Sequence, residues 1–288
     1  EIGALAEEMD HSGHWAELVD SLRERHPVPD ELLDTYRSQM ERAREFVVDR
    51  DLASIPDAPL EVIETPAFLK PLIPYAAYQP PGALSNDLTG TFYVTVPGPD
   101  VEQSVARRLL RDHCLYEIPA TALHEGYPGH HLHLALTKQS PSLVRRVVAS
   151  PLTVEGWALY CEDMMAEQGF YSSVEERLFQ KVQLLWRAVR IVVDVGLHTM
   201  GMTIDEAVDM LVDRAGLERA NAESEVRRYC GAPAYQLCYA VGRRDIKALR
   251  EAYRHAAGGE MRLREFHDRI VSYGGLPLSL IRWGMGLD

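Results

Sequence analysis

The 288-residue sequence predicts a mainly α protein of the α+β class with a small β-hairpin or sheet. Apolar residues recur at three- and four-residue steps through the first fifty residues and again beyond residue 100, which is typical of amphipathic helices. Between these regions, a proline-rich segment carries two short alternating runs that suit strands. With 46% hydrophobic and 25% charged residues, the composition is that of a globular protein able to bury a large core.

Three regions are predicted along the chain, within what we expect to be one compact domain. Residues 1–54 form N-terminal helices. Residues 55–99 contribute short strands at Leu60–Thr65 and Thr91–Val96, and residues 100–288 form a helical region that carries the candidate site. Because the sequence does not begin with methionine, we expect it to be a fragment of a longer chain.

The charge and hydropathy of the chain exclude two classes of partner. With 43 acidic and 30 basic residues the net charge is −13, which disfavours binding to nucleic acid backbones. No apolar run approaches the roughly 18 uncharged residues of a membrane span. No targeting segment is visible, so the compartment stays open with a cytoplasmic location favoured, and the oligomeric state is not predicted.

The most informative stretch runs from His124 to His133 and holds four histidines and a glutamate. Zinc in proteins is bound by neutral imidazole and carboxylate groups. A His-Glu pair on a helix also opens the HExxH motif of zinc peptidases, in which the Glu is the general base. Here Pro128 stands where the second His of that motif would be. The stretch therefore predicts a Zn²⁺ site with His124 as a ligand and Glu125 as the base, but with altered spacing.

Helix geometry indicates how a second histidine could reach the metal. In an unbroken helix His130 would lie about 240° around the axis from His124, and His131 about 10.5 Å along it. Neither could share a metal with His124 there. Pro128 and Gly129 favour a bulge or kink that absorbs two residues and returns His130 to His124, whereas His131 needs a larger distortion. We therefore predict His130 as the ligand, with His131 as the alternative.

A third ligand is expected from another helix, and Glu155 is the candidate. It follows His130 by 25 residues, which allows a turn and an antiparallel return. Glu155 and Glu162 are seven residues apart on one helix face, so both could also be surface carboxylates. Beside the histidine cluster we predict Glu155 as a ligand and Glu162 as a residue that orients a ligand or pairs with an arginine.

Several motifs together resemble the DUF885 family of bacterial proteins, a group placed with the gluzincin-like zinc metallopeptidases. The motifs are HEGYPGHH (residues 124–131), EGWALY (155–160), the segment from Pro233 to Gly242, FHD (266–268) and GLPL (275–278), with GTFYV (90–94) ahead of the site. The resemblance covers the whole chain, which is similar to the C-terminal catalytic portion of longer members. It implies a helical gluzincin-like domain in which His124, His130 and Glu155 bind zinc and Glu125 is the base.

The resemblance also suggests a residue that assists the reaction. Tyr239 matches the family's tyrosine, and a tyrosine opposite the metal often donates to the developing oxyanion. A core tyrosine with a satisfied hydroxyl is the alternative. Tyr235, one turn earlier, is the reserve candidate.

Further candidates lie on two later helices and one strand. Arg190, Asp194 and His198 recur at four-residue steps and form either an internal ion network or groups that support the metal and hold a substrate carboxylate. His267 could donate to substrate or be structural. The strand Thr91–Val96 could be an edge strand that pairs with an extended substrate, or an ordinary hairpin strand.

These observations predict a zinc-dependent hydrolase, with a metallopeptidase as the leading interpretation and a peptide or small amide as its substrate. A hydrolase of a non-peptide amide or ester is the near alternative. A non-catalytic peptide-binding protein with a structural metal is the other. The sequence contains no GxSxG elbow, phosphate-binding loop or dinucleotide fingerprint.

Overall fold

The architecture is helical with one small sheet, as the sequence predicts. A computed structural model describes residues 1–9, 11, 13–73 and 75–287. Its helices are α1 (Ile2–Glu8), α2 (Trp15–Leu22), α3 (Leu32–Asp49), α4 (Gln103–Arg111), α5 (Ile118–Glu125), α6 (His130–Lys138), α7 (Leu143–Val147), α8 (Pro151–Glu167), α9 (Val174–Thr199), α10 (Ile204–Ala215), α11 (Arg219–Cys230), α12 (Leu237–Ala256), α13 (Leu263–Val271) and α14 (Leu278–Gly284). Its strands are β1 (Leu60–Glu64), β2 (Ala76–Gln79) and β3 (Gly90–Val94). The fold-class prediction is confirmed.

The sheet has the order β1-β3-β2, with β1 parallel and β2 antiparallel to β3. The predicted strand Thr91–Val96 corresponds to β3, which lies in the centre. The expectation that it could be an edge strand is therefore wrong, because both of its sides are already paired. β2 is an edge instead, and it was not predicted because its sequence, AAYQ, lacks the β-branched residues that mark strands.

Helix α3 connects the sheet to the helix that carries the first site residues. Its apolar face is buried, and the Tyr36 ring packs edge-on against Phe92 of β3 with ring centroids 5.2 Å apart. Further along the same face, Ala43 and Val47 join the core that contains Leu123 of α5. This packing fixes α5 relative to the sheet.

Helices α8 and α12 form the most extensive helix pair, and two glycines make their close approach possible. A Cβ atom on Gly156 of α8 would overlap the backbone of Gly242 of α12, and the reverse substitution would clash in the same way. Because neither residue has a side chain, the two helices can pack with their backbones in contact. This brings the start of α12 beside Glu155.

The long helix α9 forms a further wall of the molecule. Ser173 caps its start by accepting a hydrogen bond from the backbone N–H of Glu176. Helices α10 and α11 pack along the second half of α9 around a separate apolar cluster, and a capping box of Thr203 and Glu206 begins α10. Among the helices that the structure describes, none has the length and apolarity to cross a bilayer.

Candidate metal centre

A break between α5 and α6 brings two histidines together. Helix α5 ends at Glu125 and α6 begins at His130, so the intervening segment replaces the continuous helix of an HExxH motif. The Gly129 N–H donates to the Leu123 carbonyl at 3.0 Å, and a Cβ atom on Gly129 would overlap the carbonyl oxygen of His124. Only glycine tolerates this approach. The His124 and His130 rings consequently lie 4.8 Å apart between centroids and nearly perpendicular.

Glu155 completes a triangle of ligand atoms. Its Oε2 lies 3.7 Å from Nε2 of His124 and 3.4 Å from Nε2 of His130. Two atoms that bind one tetrahedral zinc ion at about 2.0–2.1 Å are themselves about 3.3–3.4 Å apart. The two distances from Glu155 are therefore close to those between ligand atoms of a small divalent cation.

Hydrogen bonds from outside the triangle determine which atoms face its centre. Nδ1 of His124 is 2.8 Å from Oε1 of Glu162, so Nε2 is the ring nitrogen that faces Glu155. The hydroxyl of Tyr235 donates to Oε1 of Glu155 at 2.7 Å and leaves Oε2 free. Such partners fix the tautomer and orientation of metal-binding side chains. Both Glu162 and Tyr235 thus lie where they can support a ligand.

His131 lies beside the site with both ring nitrogens engaged elsewhere. Nε2 donates to the Ala58 carbonyl at 3.1 Å, and Nδ1 accepts from the Tyr78 hydroxyl at 3.0 Å. Burial lowers the pKa of His131, which favours the neutral ring. The Tyr78 ring in turn stacks on His130. The structure therefore places His130, and not His131, next to His124 and Glu155.

The carboxylates beside His124 shift the pKa values in the cluster. Burial disfavours protonation of His124, but the neighbouring carboxylates of Glu155 and Glu162 outweigh burial and raise the pKa of His124 to about 10. Burial would raise the pKa of Glu155, yet the neighbouring imidazoles of His124 and His130 hold that pKa well below its ordinary range. Buried carboxylates need a compensating positive charge. Protons on the imidazoles can supply it, and so can a metal ion.

Glu125 and Tyr239 lie on a cavity that opens at the cluster. Glu125 offers a carboxylate oxygen within 4.8 Å of ligand atoms on His124 and His130. Burial, followed by the Glu155 charge, raises the pKa of Tyr239 to about 12, so its hydroxyl stays protonated and can donate. Tyr239 thus lines the cavity with a protonated hydroxyl, whereas the hydroxyl of Tyr235 is bonded to Glu155.

The cavity has a volume of about 410 Å³. Its walls come from the edge strand β2 and from helices α5, α6, α8, α9, α11 and α12. The lining residues are Tyr75, Ala76, Ala77, Tyr78, Glu117, Ala120, Thr121, His124, Glu125, His130, Glu155, Glu162, Gln183, Trp186, Arg187, Arg190, Arg228 and Tyr239. A cavity of this size suits a small molecule or a few residues of peptide.

Sequence reasoning named Tyr239 and Arg190 but missed other residues of this lining, among them Tyr78, Trp186 and Glu117. Tyr78 and its strand gave no motif, and Trp186 has the helical spacing of an ordinary core residue. Arg187 did carry a signal, since a charged residue interrupts an otherwise apolar helix. The signal alone did not show toward which neighbour the side chain points.

Three candidates that share one stripe of α9 have separate hydrogen-bond partners. Arg190, Asp194 and His198 form no mutual ion network. Asp194 accepts a hydrogen bond from the backbone N–H of Ala234 at 2.9 Å, and exposed His198 lies 3.2 Å from the Tyr229 carbonyl. Of the three, Arg190 alone lines the cavity. Asp194 therefore acts on the segment that leads into α12 and not on the metal cluster.

His267 lies away from the cavity. It is fully buried, donates from Nδ1 to the Leu52 carbonyl at 2.6 Å and accepts from the Tyr160 hydroxyl at 2.8 Å. Burial lowers its pKa to about 4. Because both ring nitrogens already bond within the core, the contacts of His267 match the structural alternative and leave no ring nitrogen to donate to a substrate.

Comparison with known proteins gives a family match and two similar structures. The model of the family described as "Bacterial protein of unknown function (DUF885)" matches residues 1–285. No curated protein matches the chain. A solved structure from Shewanella oneidensis, a candidate lipoprotein of unknown function, superposes with a TM-score of 0.84 at 30% identity over 94% of this chain.

A second solved structure, a candidate lipoprotein from Colwellia psychrerythraea, gives a TM-score of 0.88 at 23% identity over 99% of this chain. At that identity the likeness concerns the fold alone. In both cases the matched region is 48% of the other protein. This chain therefore spans about half the length of each of those two proteins.

Proposed function

This chain belongs to the DUF885 family, and we propose that it is a zinc-dependent hydrolase that cleaves peptide bonds. One observation carries the proposal: Nε2 of His124, Nε2 of His130 and Oε2 of Glu155 converge at zinc-ligand spacing, and Glu125 lies beside them on the cavity. Three protein ligands with a cavity beside them are the arrangement of catalytic zinc sites, whereas structural sites use four protein ligands.

His124, His130 and Glu155 would hold the metal. A bound zinc ion would supply Lewis-acid chemistry, lowering the pKa of an attacking water and polarising the carbonyl of the scissile bond. Glu125 would accept the proton of that water at its carboxylate and pass it to the leaving amine. Tyr239 would donate its hydroxyl proton in a hydrogen bond to the oxyanion that develops on the carbonyl.

The edge strand β2 would align an extended substrate. One side of β2 pairs with β3, while Ala76, Ala77 and Tyr78 line the cavity. The free backbone groups of an edge strand can pair with a peptide in extended conformation. Because a non-peptide amide or ester lacks that repeating backbone, this arrangement favours a peptide substrate.

Metal content tests the ligand set. We expect the wild-type protein to retain about one zinc per chain after dialysis, and His130→Ala to lose it, because a missing ligand leaves two donors. His131→Ala is the matched control, since it removes the adjacent imidazole whose nitrogens bond to Ala58 and Tyr78. Elemental analysis of both variants decides. Loss of zinc in His131→Ala with retention in His130→Ala would show that the ligand set is wrong.

A further inference from the structure

The cavity contains a group of arginines in addition to the candidate metal ligands. Three arginines line it, Arg187 and Arg190 from α9 and Arg228 from α11. The guanidinium carbon of Arg190 lies 5.1 Å from the ring centroid of Tyr239, and that ring is 6.0 Å from the ring of Tyr235, which bonds Glu155. Arg190 is therefore connected to Glu155 through the rings of Tyr239 and Tyr235.

Two of these arginines already have a carboxylate partner. Nη2 of Arg190 is 3.1 Å from Oε2 of Glu225, and its Nε donates to the Tyr229 hydroxyl at 2.8 Å. Arg228 binds both oxygens of Glu225, with its Nη2 at 2.7 Å and its Nε at 3.2 Å. One carboxylate thus serves two guanidinium groups, and this part of the wall keeps excess positive charge.

Arg187 is different, because it has no carboxylate within ion-pair distance among the described residues. Its Nη1 donates to the Gln183 carbonyl at 3.3 Å, while its Nε is buried without a hydrogen-bond partner in the described part of the chain. The indole N–H of Trp186 is likewise buried without a hydrogen-bond partner among the described residues. The guanidinium carbon of Arg187 lies 4.9 Å from the centroid of the Trp186 ring. Buried donors without acceptors cost free energy that an anionic ligand would recover.

Glu117 is the carboxyl group on this side of the cavity, and it is already bonded. Nε2 of Gln183 donates to Oε1 of Glu117. Burial raises the pKa of Glu117 to about 7, even though the nearby charges of Arg23 and Arg187 act in the opposite direction. Its negative charge is therefore partly suppressed near neutral pH and compensates Arg187 incompletely.

We propose that Arg187, together with the indole N–H of Trp186, binds the C-terminal carboxylate of the substrate. The guanidinium group is a planar fork of N–H donors that can bind both oxygens of a carboxylate at once. A backbone carbonyl or an amide has only one oxygen and cannot be bound in this way. The protein would then act on short peptides with a free C-terminus and remove the last residue. This assignment rests on the proposed peptidase function and deepens it, and the cavity of about 410 Å³ fits a ligand of that size.

Binding of a matched pair of probes tests the proposal without relying on turnover. The probes are N-acetyl-alanyl-alanine and its C-terminal amide, measured by isothermal titration calorimetry on the full chain carrying Glu125→Gln. We expect the acid to bind at least about tenfold more tightly than the amide, because it gains a charge-assisted bond. Adding Arg187→Gln should reduce that ratio to about one, and Arg187→Lys should leave it between the two.

Arg177→Gln is the matched control. It removes the same charge from the same helix about 15 Å away, where Arg177 pairs with Glu8 at the surface. An acid-to-amide ratio that survives Arg187→Gln, or an acid that binds no better than the amide in the parent, would overturn the assignment. If Arg187→Gln does not fold, as judged by circular dichroism, the parent ratio and Arg187→Lys decide.

The two proposals fail in distinguishable ways. Acid binding that depends on Arg187 in a protein that retains no zinc would leave the carboxylate site standing and remove the zinc hydrolase. Zinc retention and cleavage of both acid and amide at equal rates would leave the hydrolase standing and remove the carboxylate site.

Discussion

Single atoms decide what each carboxylate at the site can do. Glu162 and Glu155 are both on α8, yet Glu162 bonds Nδ1 of His124 while Glu155 faces Nε2 of both histidines. The hydroxyl of Tyr235 occupies the remaining oxygen of Glu155. The carboxylates thus divide into one candidate ligand and one that orients a ligand, because of their hydrogen-bond partners.

Glu125 is the residue whose substitution separates metal binding from chemistry. Replacing it with glutamine keeps the size of the side chain and removes the proton acceptor. We expect Glu125→Gln to retain zinc and to lower kcat by about 10²–10⁴-fold, the range for a lost general base. Zinc content and turnover of a peptide pool, followed by mass spectrometry, are measured on the same sample.

Glu162→Gln is the comparison, since it alters a carboxylate of α8 that contacts the candidate ligand His124. We expect it to weaken zinc affinity more than Glu125→Gln does. Unchanged turnover in Glu125→Gln would remove this residue from the mechanism.

At the scale of elements, the break between α5 and α6 determines whether the site exists. Helix α5 ends at Glu125, one residue after His124, and α6 begins at His130, with Gly129 against the His124 carbonyl between them. A straight helix through residues 118–138 would place the two imidazoles on opposing sides. The interruption therefore brings the two histidines side by side, as the four-residue spacing does in an HExxH helix.

Gly129→Ala tests that element. The added methyl group would overlap the carbonyl oxygen of His124, so the segment must shift at a cost of about 1–3 kcal/mol. We expect lower thermal stability and weaker zinc binding together, measured by calorimetry and metal titration. Gly98→Ala is the control, because a Cβ atom there meets nothing within 4 Å, and we expect no comparable loss. Equal behaviour of the two variants would mean that the close approach at Gly129 is unimportant.

The pairing of α8 with α12 is the second decisive element. Glycines at 156 and 242 allow backbone contact, and Asp194 holds the N–H of Ala234 just before α12. These contacts position Tyr235 and Tyr239 near Glu155. Asp194 is thus connected to the site through the backbone that leads into α12.

At the scale of the whole molecule, the cavity is lined by segments that are far apart in sequence. Several of the side chains that line it are buried ionisable groups. Glu117 shows that ionising a buried carboxyl group lowers the stability of the folded protein. Burial raises its pKa from an ordinary value near 4.5 to about 7, so the folded state binds this proton more tightly than the unfolded chain. Its contribution to stability is complete below about pH 4.5 and is lost as the pH rises through about 7.

We therefore expect Glu117→Gln to become relatively more stable as the pH rises. Between pH 5 and pH 8, its free energy of unfolding should gain about 2–3 kcal/mol relative to wild type, because glutamine does not ionise. Urea unfolding of both proteins at the two pH values measures this difference. Glu61→Gln on β1 is an exposed control. A pH-independent difference for Glu117→Gln would show that Glu117 titrates alike in both states.

Much of the fold followed from local patterns. The amphipathic spacing of α3 and the alternating run of β1 depend on neighbours in sequence, so they could be predicted. β2 could not, since its sequence is weakly strand-forming and its pairing with β3 provides the ladder that defines it. Arg190, Asp194 and His198 share a helix stripe, but α11 and the segment before α12 supply their partners separately.

The sequence by itself determined a mainly α fold, the break at Pro128 and Gly129, and the likeness to the DUF885 family. These depend on residue types and short spacings, which one chain segment contains in full. Only the tertiary structure decided that β2 is the edge strand at the cavity and that His267 is a core residue. It also decided that Arg187, among the three arginines that line the cavity, has no carboxylate within ion-pair distance in the described part of the chain. Each of these depends on which distant segments pack together, and therefore on contacts that no local pattern contains.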